Sequence, residues 1–274
     1  MEYALAVQEL FPALYQQYNT AEQFMHTCAE RYAIPISRIY LGASFCGRLF
    51  NVMTVSQFRF FSAYCTTHNM PVSLTIPIFT QQHLAEGKRV IQTILDTYGR
   101  LIDEVTVNDC GMYVWLRNQF KGRIFSGRLM NKVNRDPRYP AYGNLPIRIP
   151  EVPFPVSGAE LDSCASALII ESGHDEFVAA VYSPYSFIST GETCSYASLY
   201  LDVAKKFTPV TACPVNCGRY YTRHEDSAGN IFYHIGNTIY FKAAFPKIIG
   251  TTNQRSICMP LELWEERHET VNPG

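Results

Sequence analysis

From residue 38 to residue 127 the sequence repeats one pattern, a short apolar run that ends in a polar loop and then a longer stretch with helical spacing. RIYLG (38–42) stops at a glycine, and VSQFRFFSAYCTTHN (55–69) reads as a helix leading to the apolar run VSLTIPIF (72–79). QHLAEGKRVIQTILDTYG (82–99) leads in the same way to EVTVN (104–108), and MYVWLRNQF (112–120) to RIFSG (123–127). Strands joined by helical crossovers pair in parallel, because a tight hairpin can only connect antiparallel neighbours. The expectation is an α/β fold, either an open doubly wound sheet or a (β/α) barrel.

The flanks are less regular. Residues 4–32 read as an amphipathic, helical opening segment broken near Asn19. RDPRYPAYGNLPIRIPEVPFPVSG (135–158) holds six prolines, which bar a central strand or a helix interior over much of its length. It reads as a lid or a long loop with a short strand inside it. AELDSCASALII (159–170) reads as helix and EFVAAVYSPY (176–185) as strand, while from about 186 cysteine, tyrosine and turn residues dominate. NIFYHIGNTIYFK (230–242) has the form of a hairpin with Gly236 and Asn237 at its tip. No repeat or linker divides the chain, so one domain is expected over 1–274, with a barrel-like part at about 36–185 and a cysteine-rich part at about 186–274.

With 23 basic against 24 acidic residues in 274, the chain is not built to coat nucleic acid or an anionic membrane. Its start, MEYALAVQELFPALYQQYNT, lacks the marks of a signal peptide, and no run reaches the roughly 18–20 apolar residues of a membrane span. A cytoplasmic protein without a membrane span is expected. The nine cysteines are an odd number and are spread from Cys28 to Cys258, unlike the dense framework of a small secreted domain.

Cys194, Cys213 and Cys217 form C-x18-C-x3-C, and Cys46 lies far upstream in LGASFCGRLF, at the carboxyl end of the first predicted strand. Sites of parallel α/β folds collect at that edge. Thiolates on loops rich in glycine and proline suit a soft metal centre, although C-x3-C is not the C-x2-C pair of zinc ribbons. At this level Cys213 and Cys217 could equally be small buried hydrophobes. Cys28, Cys65, Cys164 and Cys258 fall in helical or strand-like runs and read as packing, and Cys110 in VNDCG stays open.

Taken in order, IYLGASFC (39–46), VTVNDCG (105–111), SGRLMNKVN (126–134), VAAVYSPY (178–185) and the late C-x18-C-x3-C resemble the collagenase-like peptidase family numbered U-thirty-two. The closest likeness within it is to the UbiV/UbiU-type iron–sulfur proteins of oxygen-independent hydroxylation. The likeness implies a TIM-barrel-like, possibly incomplete, parallel barrel with a cysteine-rich extension. It also implies a [4Fe–4S] cluster on Cys46, Cys194, Cys213 and Cys217, with a four-thiolate zinc site as the alternative. Hydroxylation or a related redox modification of an aromatic or RNA-base substrate would follow, and the partner would be a related barrel subunit or a second copy. The larger members carry a further C-terminal domain that finds no counterpart here.

A barrel gathers functional side chains at the strand ends and in the loops after them. Arg48, Asn108, Asp109 and Asn131 occupy such places: Arg48 could grip a carboxylate, and Asp109 could orient a proton. The bland alternative is that Asn and Asp cap helices there and Arg48 is solvated. Arg219, Tyr220, Tyr221, Arg223 and His224 could grip a base, or simply cover an apolar edge. Peptide hydrolysis finds little support, since neither H-E-x-x-H nor G-x-S-x-G occurs. A non-catalytic subunit of a heterodimer is the remaining expectation.

Overall fold

The structure is a computed structural model that describes residues 1–8, 10, 12–131, 146–148, 154–162, 167–171, 176–206, 213–243, 247–249 and 253–263. In chain order the elements are β1 (Glu2–Ala6), α1 (Pro12–Tyr15), α2 (Ala21–Tyr32), β2 (Arg38–Gly42), α3 (Gly47–Thr67), β3 (Val72–Ile76), α4 (Gln81–Tyr98), β4 (Ile102–Val107), α5 (Cys110–Leu116) and β5 (Arg123–Ser126). They continue with β6 (Pro146–Arg148), β7 (Gly158–Asp162), β8 (Ala167–Glu171), β9 (Val178–Ser183), β10 (Tyr185–Thr190), β11 (Thr222–Glu225), β12 (Ile231–Ile235), β13 (Thr238–Lys242), β14 (Lys247–Ile249) and β15 (Asn253–Cys258).

Eight parallel strands close a barrel in the order β1-β2-β3-β4-β5-β7-β9-β15, and β15 returns to pair with β1. This is a TIM-barrel-like α/β fold, and the barrel is complete. Two sequence expectations are corrected. The opening segment is not helical throughout: Glu2–Ala6 is the strand that seals the barrel, in register with Arg255–Cys258 on one side and Arg38–Tyr40 on the other. Residues 159–170 are not a helix either, because β7 and β8 occupy their described parts. Both errors have one cause, since a short apolar run carries too few turns to separate period 2 from period 3.6. Barrel strands thus also lie outside the 36–185 range. The short strand foreseen in the proline-rich stretch is β6, which joins β8 and β14 in a separate three-stranded sheet. Cys164 lies outside the described residues.

The helices follow from local sequence. Thr20 caps α2, its hydroxyl accepting from Gln23 N at 3.2 Å, and Asp109 caps α5 by accepting from Met112 N at 2.8 Å. Gly42 ends β2 at φ 109°, and a Cβ there would stand 2.2 Å from the Thr75 carbonyl oxygen. Only glycine lets the chain leave β2 so close to β3.

The lumen of the barrel is more polar than the branched aliphatic filling usual for the fold. Arg255 of β15 donates to the Tyr40 hydroxyl at 2.6 Å and to Glu104 of β4, and Ser73 of β3 also donates to Glu104. Arg38 adds Glu2 and Asp103, each at 2.8 Å. Higher up sits Glu160 of β7, fully buried. Burial pushes its carboxyl up to about 7, with the Glu104 charge adding, while Thr106, Arg128 and Tyr182 hold it back.

The carboxyl-terminal mouth is closed. Arg128, in the loop after β5, is fully buried and bonded to Asp162 at the end of β7, its Nε lying 3.2 Å from each carboxylate oxygen. Its guanidinium lies 4.0 Å from the Tyr182 ring centre, 5.0 Å from Phe45 and 5.1 Å from Phe187. Asp162 also accepts the Phe187 amide at 3.1 Å. Phe187 belongs to an antiparallel sheet of order β10-β13-β12-β11, which therefore caps the barrel. Removing one partner of such a pair leaves a buried charge uncompensated, at a cost of about 3–5 kcal/mol.

Candidate metal centre

With the mouth plugged, the site lies to one side of it, where the amino end of α3 meets the loops of the capping sheet. Cys46, Cys194, Cys213 and Cys217 line one pocket there, together with Arg48, Thr80, His83, Glu192 and the hairpin tip Gly236–Asn237. The four sulfurs singled out in the sequence, separated by up to 171 positions along the chain, therefore face the same space. All four are free thiols. Among the described residues no three His, Cys, Asp or Glu side chains are gathered closely enough to hold a single metal ion.

Each cysteine is placed by a different device. Cys46 is the N-cap of α3, and its sulfur accepts from Leu49 N at 3.4 Å. The helix amino terminus offsets part of the cost of a thiolate there. Cys194 follows β10 in a loop pinned by Ser198, whose hydroxyl donates to the Cys194 carbonyl at 3.2 Å. Cys213 and Cys217 flank Val215, which sits in the left-handed region at φ 55°. A β-branched residue there is strained, and the strained bend turns both ends of C-P-V-N-C to the same pocket.

The hairpin tip joins these segments. Asn237 Nδ2 donates to the Gly191 carbonyl at 2.8 Å, three residues before Cys194, and to the Phe45 carbonyl at 3.3 Å, one residue before Cys46. Gly236, at φ 60°, passes so near Cys217 that a Cβ would stand 3.9 Å from its sulfur. The turn expected from NIFYHIGNTIYFK is present, and it ties three cysteine-bearing segments together. The turn is legible in the sequence and the tie is not, because an Asn-containing tip is ordinary hairpin chemistry.

Burial pushes the Cys46 thiol up to about 12, and charge on Cys213 or Cys194 adds to this, against the Leu49 and Arg48 amides. Burial likewise raises Cys217, helped by the other three cysteines. Cys194 is raised by burial and partly restored by the amides of Ala197 and Tyr196 and by the Arg48 cation. Neighbouring sulfurs thus oppose ionisation of Cys46, Cys194 and Cys217. Bound cationic metal inverts that logic, since coordinated thiols are deprotonated outright.

Of the four strand-end candidates, only Arg48 lines the pocket. It is 9 % exposed, donates from Nε to His83 Nε2 at 3.0 Å and reaches Glu192 at 3.3 Å. It is neither solvated nor engaged in a two-pronged carboxylate contact. His83 and Glu192 carried no signal in the sequence. Asn108 bridges loops instead, donating to the carbonyls of Ile76 at 3.0 Å and Ser44 at 3.3 Å and accepting from Leu129 N at 3.1 Å. Asp109 is the cap of α5, and Asn131 Nδ2 donates to the carbonyls of Gly127 and Glu160, each at 3.0 Å. These three brace the scaffold. His224 stands on exposed β11, with its ring against Phe232, outside the pocket.

Comparison with known proteins finds no matching family model, no matching curated protein and no matching solved structure. What the fold and the site themselves define is a closed parallel (β/α) barrel with a four-cysteine pocket at the flank of its capped mouth. No helix among the described residues is long and apolar enough to cross a membrane.

Proposed function

We propose that the chain is a [4Fe–4S] protein akin to the U-thirty-two iron–sulfur group, acting in oxygen-independent hydroxylation or a related redox modification of an aromatic or nucleobase substrate. One observation carries this reading: Cys46, Cys194, Cys213 and Cys217 come from three separate segments and line a single pocket. When bound, such a cluster supplies one-electron transfer, and four cysteines complete its protein ligands.

Four cysteines can also hold a structural zinc, whereas a cube gives each thiolate its own iron; metal and sulfide analysis separates the two. The remaining pocket groups belong to this chain. Arg48 puts a fixed cation beside Cys194, His83 accepts from it at Nε2, and Glu192 balances its charge from the solvent side. The plugged mouth directs substrate to this flank rather than to the barrel axis.

Anaerobically purified protein should show broad charge-transfer absorbance in the visible. Cys46→Ser, Cys194→Ser, Cys213→Ser and Cys217→Ser should each reduce it, while Cys65→Ser and Cys28→Ser should not. Equal absorbance in all six variants would remove the reading. A related barrel subunit is the expected partner for turnover, and activity that appears only on adding it would assign this chain the role of one half of a heterodimer.

A further inference from the structure

Four large apolar side chains stand in solvent on the loops that carry Cys194 and Cys217: Leu199 (41 % exposed), Tyr200 (76 %), Val203 (75 %) and Tyr220 (39 %). The Tyr200 and Tyr220 hydroxyls meet at 3.1 Å, so the two loops present one surface. Beneath it the backbone is fixed. Asn216 Nδ2 donates to the Tyr196 carbonyl at 3.0 Å, and the Tyr196 hydroxyl bonds Thr222 at 2.9 Å and the His234 carbonyl at 2.8 Å. The exposed rings therefore cap an ordered element.

Cations rim this patch. Lys205 and Arg219 are exposed, Lys206 is half-buried, and Arg219 is near enough to Tyr200 for its charge to act on the phenol. Against them the 199–206 segment offers one acid, Asp202, in a chain whose net charge is −1. An apolar patch with a charged rim has the anatomy of a protein interface, and its sign selects a partner of opposite charge. Its location bears on the purpose of that partner. Leu199 follows Cys194 by five residues and Arg219 follows Cys217 by two, so the loops that carry this face are the loops that carry those cysteines.

We propose that this face docks a small acidic one-electron carrier of the ferredoxin class. The inference rests on the reading of the pocket as a cluster site. One electron leaves the carrier's reduced iron–sulfur centre and enters the centre held by the four cysteines; the carrier is oxidised by one electron, and no atom or proton changes place. Electron-transfer complexes of this kind use small, transient interfaces in which charge steers the encounter.

The test is calorimetric titration of the anaerobically purified holoprotein with a plant-type [2Fe–2S] ferredoxin. Micromolar binding is expected at low salt, weakened about tenfold or more by 0.5 M salt, as for a steered encounter. The double variants K205E/R219E and Y200S/V203S should lose affinity to a similar extent while keeping wild-type iron content. No binding by the wild type, or equal binding by both variants, would overturn the proposal. So would sedimentation showing a dimer of this chain that Y200S/V203S dissolves, or binding of RNA or anionic vesicles by this face in place of the carrier. A protein that holds no iron fails the cluster reading itself, a result separable from lost docking at full iron content.

Discussion

Replacing Asn237 with alanine tests whether the hairpin tip organises the pocket. Its amide donates two hydrogen bonds, to Gly191 O at 2.8 Å and to Phe45 O at 3.3 Å. A neutral hydrogen bond contributes a net of about 1 kcal/mol, and both carbonyls can recover water because the site is partly open. The variant should therefore lose roughly 1–2 kcal/mol, which lowers Tm by roughly 3–6 °C in a chain of this size. That loss alone is unspecific, so the informative readout is the rate at which an iron chelator strips the anaerobic protein. With Gly191 and Phe45 released, the backbones next to Cys194 and Cys46 lose their common anchor, and iron loss should quicken about tenfold for about 1.4 kcal/mol of lost positioning. Asn230→Ala is the control. Asn230 bonds Asp226 at 2.8 Å at the opposite turn of the same sheet, and neither residue lines the cysteine pocket. Equal stripping rates in Asn237→Ala, Asn230→Ala and wild type would refute the reasoning.

Three further outcomes are expected. Glu160 has a folded pKa of about 7 against 4.5 for the unfolded chain, so the stability contributed by its protonated form is full below pH 4.5 and is lost as pH rises through 7. Urea unfolding should show wild type losing up to about 3 kcal/mol between pH 5 and pH 8 relative to Glu160→Gln, and parallel pH profiles would contradict this. Asp162→Ala strands the buried Arg128 guanidinium and should destabilise by about 3–5 kcal/mol in the same assay, whereas a loss under 1 kcal/mol would mean that the mouth is not plugged as described. Arg48→Gln should keep its iron and lower the midpoint potential, because the cation beside Cys194 favours the more negative, reduced centre; an unchanged potential in spectroelectrochemistry would count against it.

The barrel was legible wherever a strand was followed by a helix long enough to show its period: α3, α4 and the strands beside them lie within a few residues of expectation, apart from the earlier start of α3 at Gly47. It was illegible at Glu2–Ala6 and Gly158–Asp162, five-residue runs too short to separate a strand period from a helical one. The barrel's closure rests on pairing between β1 and β15, some 250 positions apart, and no local pattern encodes that. At the site, spacing marked Cys194, Cys213 and Cys217 without settling their role, grouping them with Cys46 came from a family resemblance, and Arg48 stood out by its place after a strand. Asn108, Asp109 and Asn131 occupy the same kind of place and turned out to brace backbone, because a short polar side chain at a strand end serves either purpose. His83, Glu192 and Asn237 reach the pocket through tertiary packing alone.

The most direct measurement is the content of iron and acid-labile sulfide in protein purified without oxygen. Thiols from three distant segments that share one cube predict about four of each per chain, falling well below that in Cys46→Ser, whose substitution lies 148 positions from the nearest of the other three. A single zinc per chain without sulfide, or full iron and sulfide in that variant, would contradict the account.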